Sequence, residues 1–323
     1  MERRPTTPIP TRGFVMVLGA AALFGTLGPL SNFAYDAGME PTAFVAWRAL
    51  IAVIGASAFV AWRIRSGATR LVRPSALSPR VRGTLLVATC MGFALNVLMF
   101  IAFDRITVAL ALLAFYTYPA MVAAANVALG RDRLDPARAA ALGLALVGMI
   151  AVVASQLDPS AGIRFDALGV AMALLAALSQ TIFIVISRDG YDEVPSEQAM
   201  ALVLLVTTIG ATLLAVAGGA AGTLAFPVQT PSVLPLLLVT GVFAAAIPSI
   251  AFLTGVRAVG GTRAGILMLF EPVVGVALAA WLLGERLAPI QLVGALAILG
   301  AALILQRGAG GAEPATEPWA VVG

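Results

Sequence analysis

The 323-residue chain is 60% hydrophobic and 11% charged, and its net charge of +4 comes from arginine without any lysine or histidine. Soluble globular domains carry about 25% charged residues, so this composition belongs to an integral membrane protein. The missing side chains speak against several chemistries at once: a P-loop and a Schiff base need lysine, and common zinc hydrolases need histidine, which argues against ATP-driven pumping and metallo-hydrolysis.

In chain order, residues 1–12 are polar, with Pro5, Pro8 and Pro10, and are expected to be a disordered cytoplasmic lead. The apolar run after Gly13 is too long for a signal core and lacks a clear cleavage site. Apolar stretches then predict helices over about Phe14 to Ala34, Ala43 to Trp62, Thr84 to Phe103, Thr107 to Ala128 and Ala137 to Ala154. The second half predicts helices over about Leu168 to Ser187, Ala199 to Ala217, Leu234 to Leu253, Ala264 to Leu283 and Ile290 to Gln306. Each is close to the ~20 residues that a bilayer crossing needs. The only cysteine, Cys90, lies in one of them; it can form no intramolecular disulfide and reads as a buried small hydrophobe. Residues 308–323, rich in Gly, Ala, Pro and Glu, are expected to be a disordered cytoplasmic tail.

The halves repeat. A shift of 153 residues lays Pro119 on Pro272, Asp132-Arg133-Leu134 on Glu285-Arg286-Leu287, and Pro136 on Pro289. Residues 13–155 and 166–307 thus form two five-helix repeats, and because five is odd the second enters the membrane from the opposite side, an inverted-topology repeat. Arginine placement agrees. With both termini inside, the inner segments hold Arg3, Arg4, Arg12, the six from Arg63 to Arg82, Arg131, Arg133, Arg138, Arg188, Arg257, Arg263 and Arg307, and the outer loops only Arg105, Arg164 and Arg286. Trp47, Trp62 and Trp281, near segment ends, read as interfacial anchors.

Two charges remain within the membrane. Glu271, beside Pro272, lies about 12 Å from the inner surface, and Arg48 about 9 Å from the outer one. An acidic group at mid-bilayer costs a few kcal/mol, so Glu271 is expected to line an aqueous cavity. In a ~30 Å core an arginine side chain spans most of the remaining gap, so a direct or water-bridged Arg48–Glu271 pair is expected. Such a pair keeps Glu271 a fixed anion and favours facilitative or exchange transport over proton coupling. The alternatives are an Arg48 that snorkels to the headgroups and a Glu271 that bonds a neighbouring backbone.

Ala111, Phe115, Tyr118, Val122 and Asn126 follow helical spacing and form one face, fit either for a substrate with an apolar body or for helix–helix packing. Asn96 and Ser249 coincide under the 153-residue shift and suggest two walls of a cavity; Gln180, within Ser179-Gln180-Thr181, is either structural glue or a further contact. Pro119, Pro248 and Pro272 are candidate kinks at which helices bend.

Leu23-Phe24-Gly25-Thr26, Pro41 with Arg48, Tyr118-Pro119, Phe270-Glu271-Pro272 and Leu283-Gly284-Glu285-Arg286-Leu287 together resemble the EamA family of the drug/metabolite transporter superfamily. Departures are Phe24 where tryptophan is frequent and Arg131-Asp132-Arg133 where Gly-Glu-Arg is usual. The resemblance implies an all-α, ten-helix, basket-like carrier of the bacterial inner membrane that exports small metabolites such as amino acids by alternating access. It implies no cofactor and no metal. The expected partners are a small-molecule substrate and the lipid bilayer, not nucleic acid, and the expected state is a monomer. An uptake carrier for a vitamin or other metabolite, a channel and a lipid translocase share the architecture; a membrane enzyme would need a fuller acid–base constellation.

Overall fold

The computed structural model describes residues 11–132, 134–157, 165–283 and 287–310. Among them it contains helices and no strand. Ten stretches are long and apolar enough to cross a membrane: α1 Thr11–Asp36, α2 Pro41–Arg65, α3 Pro79–Phe103, α4 Val108–Ala128, α5 Pro136–Ala154, α6 Ala167–Ser187, α7 Ser196–Ala217, α8 Pro231–Val259, α9 Gly261–Leu282 and α10 Pro289–Gln306. Each expected helix falls on one of them. The first helix starts at Thr11 and the last runs on to Gly310, so both take residues expected to be disordered. The rest of the expected lead and tail, Arg133, Arg164 and the Gly284-Glu285-Arg286 motif lie outside the described residues.

Local chemistry sets the ends. Prolines open α2, α3, α5 and α10, at the position where a helix needs no backbone donor. Ser78, Asp135 and Asp166 cap α3, α5 and α6 by accepting from the N–H groups of Val81, Arg138 and Leu168.

Contacts between distant segments establish the alternation of the crossings. We call the side on which α1 begins the N-terminal face. There the end of α2 meets the start of α7 through the Arg63–Glu197 ion pair at 3.3 Å. Arg131, just past α4, donates to the Val185 carbonyl near the end of α6 at 2.7 Å. On the opposite face Arg105, past α3, pairs with Asp166 at the start of α6 at 2.9 Å. There Trp47 also donates to the Leu224 carbonyl beyond α7 at 2.8 Å. Every such contact joins ends that strict alternation places on one face. Helix pairing carries the repeat as well: α1 packs on α8 and α3 on α6, while α2–α7, α4–α9 and α5–α10 pair directly. Exchanging each helix for the one five later leaves this set unchanged, as a two-fold axis in the membrane plane requires. At α5–α10 the approach is closest: a Cβ on Gly148 would lie 2.6 Å from the Gly294 carbonyl oxygen. The 153-residue shift turns this pair into Ala301 and Ala141, both fully buried.

Four spans are not regular. α1 is interrupted at Thr26, α4 at Tyr116 and Thr117, and α9 at Leu269 and Phe270; α8 widens to a π-helical turn over Val242–Ala246, just before Pro248. In α4 and α9 the cause is a proline without an N–H. Ala120 and Met121 both donate to the Thr117 carbonyl, at 3.1 and 3.2 Å, and Val273 and Val274 both donate to Phe270, at 3.1 and 3.3 Å. The two breaks are thus one structure, repeated 153 residues apart. Among the described residues, the carbonyls of Tyr116 and Leu269 are left without a backbone donor.

Two surface readings need correction. Cys90 is exposed on α3 rather than buried, because an apolar residue on an outer helix faces lipid as readily as protein. Trp62 and Trp281 are exposed near span ends as interfacial anchors are, whereas Trp47 is half-buried and held by Leu224.

Candidate functional site

The breaks of α1, α4 and α9 meet. Gly25, next to the α1 break, presses on the start of the second half of α9: a Cβ on it would lie 2.5 Å from the Glu271 carbonyl oxygen and 2.9 Å from Val274 Cβ. Only glycine allows that approach without a shift. At the α4 break, the Tyr116 side chain lies beside the Glu271 carboxyl group. Tyr118 lies close to Glu271 as well. Phe115 sits beside both tyrosines, its ring centroid 5.6 Å from Tyr116 and 5.2 Å from Tyr118.

Glu271 is half-buried, although Leu267, Met268, Leu269 and Pro272 around it are buried. An acidic group among packed residues of a membrane span is tolerated where protein polar groups or a water-filled space lie beside it.

No direct ion pair joins Arg48 and Glu271. Arg48 makes no hydrogen bond or ion pair with any described residue, its Nε is enclosed without a partner, and among the described residues the titratable side chain near it is Tyr35. Matching depths along the membrane normal are not enough, because they leave the lateral separation of two helices open.

The other expected residues divide by environment. Along α4, Ala111, Tyr118, Val122 and Asn126 are buried and Phe115 is half-buried. Asn126 donates to the Thr262 hydroxyl at 3.2 Å, and Pro119 lies 3.4 Å from where a Gly265 Cβ would be, so this face is spent largely on packing against α9. Its continuity as one regular helix fails at Tyr116 and Thr117. Asn96 is half-buried and bonds back to the Gly92 carbonyl at 2.9 Å, and its repeat mate Ser249 is buried. Gln180 is buried; beside it Thr181 donates to the Ala177 carbonyl at 2.8 Å. Tyr116 and Tyr35 were not singled out by sequence, and Gly25 only as part of the Leu23-Phe24-Gly25-Thr26 motif. The available signals were the position of Tyr116 next to a proline-induced break and of Pro29 three residues after Thr26, where a missing N–H loosens α1 as Pro119 loosens α4.

The N-terminal face is tied shut by polar contacts. Arg257 donates to the carbonyls of Ser187, Val194 and Tyr191 at 3.2, 2.7 and 3.1 Å and lies 5.1 Å from the centre of the Tyr191 ring. Gln198 bonds the Arg70 carbonyl and the Val72 N–H at 2.7 and 3.0 Å. Tyr191 is fully buried and shares a hydrogen bond with Ser187; burial pushes its phenol above the ordinary value, with Ser187 and then Arg257 drawing it partly back.

An inverted pair of five-helix repeats, with broken helices meeting at an acidic group inside the bundle, defines a membrane transporter. The EamA-like transporter family model matches residues 11–154 and 167–306, and the chain belongs to that family. A solved crystal structure has the same fold, with a TM-score of 0.75 at 18% identity over 93% of this chain and 98% of the other. A search of curated protein sequences finds no match.

Proposed function

We propose that the protein is a secondary carrier of the bacterial inner membrane that exports a small zwitterionic or neutral metabolite, such as an amino acid with an apolar or aromatic side chain. The observation that carries this reading is the meeting of three helix breaks at Glu271. Half-helices that end in mid-membrane can tilt about their breaks, and the two inverted repeats supply two equivalent ways of doing so. The aromatic group of Phe115, Tyr116 and Tyr118 beside Glu271 supports a solute with an apolar body.

The arginine-rich N-terminal face is the cytoplasmic one in this reading, since Arg63, Arg65, Arg70, Arg73, Arg80 and Arg82 lie there and Arg105 lies opposite. The Arg257 and Gln198 ties then close the cytoplasmic side. In α9 the half toward that side, Gly261–Met268, is buried except for Arg263, whereas beyond the break Glu271, Val273, Val274 and Gly275 are half-buried. This packing fits a bundle open away from the cytoplasm.

The test is a thermal-stability screen of the purified chain against amino acids and aromatic metabolites, followed by counterflow of labelled hits in proteoliposomes. A carrier exchanges labelled for unlabelled solute. Stabilisation by polyanions alone would overturn the substrate class, and flux without counterflow would indicate a channel.

A further inference from the structure

Arg48 is a half-buried cation with an enclosed Nε, and the described residues provide it no anion. It lies seven residues into α2, about 10 Å from the helix start. Its neighbours one turn away, Phe44, Val45 and Ala52, are all buried, and Ile51 packs on Gly241 of α8. Leu50 and Ile54, on the other side of α2, are exposed. Residues three and four apart share a helix face, so Arg48 projects into the bundle and not toward lipid.

Tyr35, on the second half of α1, packs its ring edge-on against Phe44 at 5.7 Å, one turn from Arg48, while the Ser31 hydroxyl donates to the Gly28 carbonyl at 2.8 Å. A guanidinium withdrawn from water is costly unless a counter-charge or acceptors replace its hydration. Arg48 as a whole is only half-buried, so a solute entering the bundle can reach it while its Nε stays enclosed. The planar guanidinium matches a carboxylate as a two-pronged acceptor.

We propose that Arg48, with the Tyr35 hydroxyl, binds the carboxylate of a small organic acid or amino acid. The assignment rests on the carrier reading for its role in transport, but binding alone can be measured on the purified chain. Carboxylate oxygens accept from the guanidinium and from the Tyr35 hydroxyl, and complete the coordination that α2 leaves open.

The experiment compares wild type with Arg48→Gln, Arg48→Lys and Tyr35→Phe as full-length protein in detergent. Thermal stability is followed against millimolar acetate, benzoate, L-phenylalanine, L-phenylalaninamide and inorganic phosphate. At least one carboxylate is expected to raise the wild-type Tm, with the amide inactive. Arg48→Gln should abolish that shift or weaken binding about tenfold or more. Without ligand, Arg48→Gln should be at least as stable as wild type, because an uncompensated charge has been removed. If Arg48→Gln fails to fold, affinity is read in Arg48→Lys and Tyr35→Phe, and unchanged binding in both overturns the site. The proposal also fails if no carboxylate stabilises wild type, if the amide or phosphate acts and carboxylates do not, or if the shift survives in Arg48→Gln. Arg48-dependent binding without counterflow would leave this site standing and remove the carrier reading; counterflow indifferent to Arg48→Gln would do the reverse.

Discussion

The breaks in α4 and α9 have the same backbone and different chemistry. Each is caused by a proline, and each makes two successive N–H groups share the carbonyl two residues before that proline. At the equivalent position one carries Tyr118, 1% exposed and packed beside Gly265, and the other carries Glu271, half-buried and facing Tyr116. Duplication supplies a pair of joints, and the site arises where the copies differ. We propose that the charge keeps water or a solute beside it, so that the second joint borders open space, whereas a phenol fills its own volume and lets the first joint pack.

The largest expected effect follows from removing that difference. Glu271→Gln should lower counterflow in proteoliposomes by about tenfold or more while leaving the Tm of the purified protein within a few degrees, since the amide keeps the shape and loses the charge. Equal flux in the variant would detach the site from the α9 break.

Gly25 sharpens the comparison from the side of α1. A methyl group there meets the Glu271 carbonyl at 2.5 Å, whereas at Gly28 it meets nothing within 4 Å. Gly25→Ala should cost about 1–3 kcal/mol of stability through overpacking, and Gly28→Ala should be close to neutral. Denaturation of both variants side by side checks this, and similar stability would mean that the breaks of α1 and α9 do not depend on close contact.

The fold was readable in advance because the signals that set it are long-range averages: twenty-residue apolar runs, arginine on alternate loops, and a repeat visible through Pro119 and Pro272. The site was only partly readable. Glu271 stood out because an acid beside a proline is costly in a membrane, but its neighbours did not. Pairing it with Arg48 relied on depth, which a helix fixes, and ignored lateral position, which only tertiary packing fixes. Tyr116 was passed over because a regular helix puts it off the face shared by Phe115 and Tyr118, and the break removes that regularity. The α1 break carried the same kind of signal in Pro29, four residues after Gly25.

A smaller effect is expected from the two tyrosines. Tyr116→Phe removes the hydroxyl of the side chain beside Glu271 and should reduce flux several-fold. Tyr118→Phe should change it less, because that ring serves mainly to pack. A reversed order would place the working face on Tyr118.

The smallest effect is expected at the Arg105–Asp166 link between the repeats. The Arg105 hydrogen bond, and then the Leu168 N–H, hold the Asp166 carboxyl below its ordinary value. Its contribution is therefore present at neutral pH and is lost as pH falls through that lowered value. Asp166→Asn should lower the Tm slightly at pH 7, with the difference from wild type vanishing in strong acid; a difference that persists there would show that the carboxylate charge is not its source.

The central claim, that the α9 break borders an aqueous path and its α4 counterpart does not, can be measured without knowing the solute. In a Cys90→Ala background, single cysteines at positions 271 and 118 are exposed to a small membrane-impermeant thiol reagent, added to oriented membranes from either side. The account predicts modification of the cysteine at 271, faster from the side opposite the arginine-rich face, and little at 118. Equal labelling of the two, or labelling at 118 alone, would contradict it.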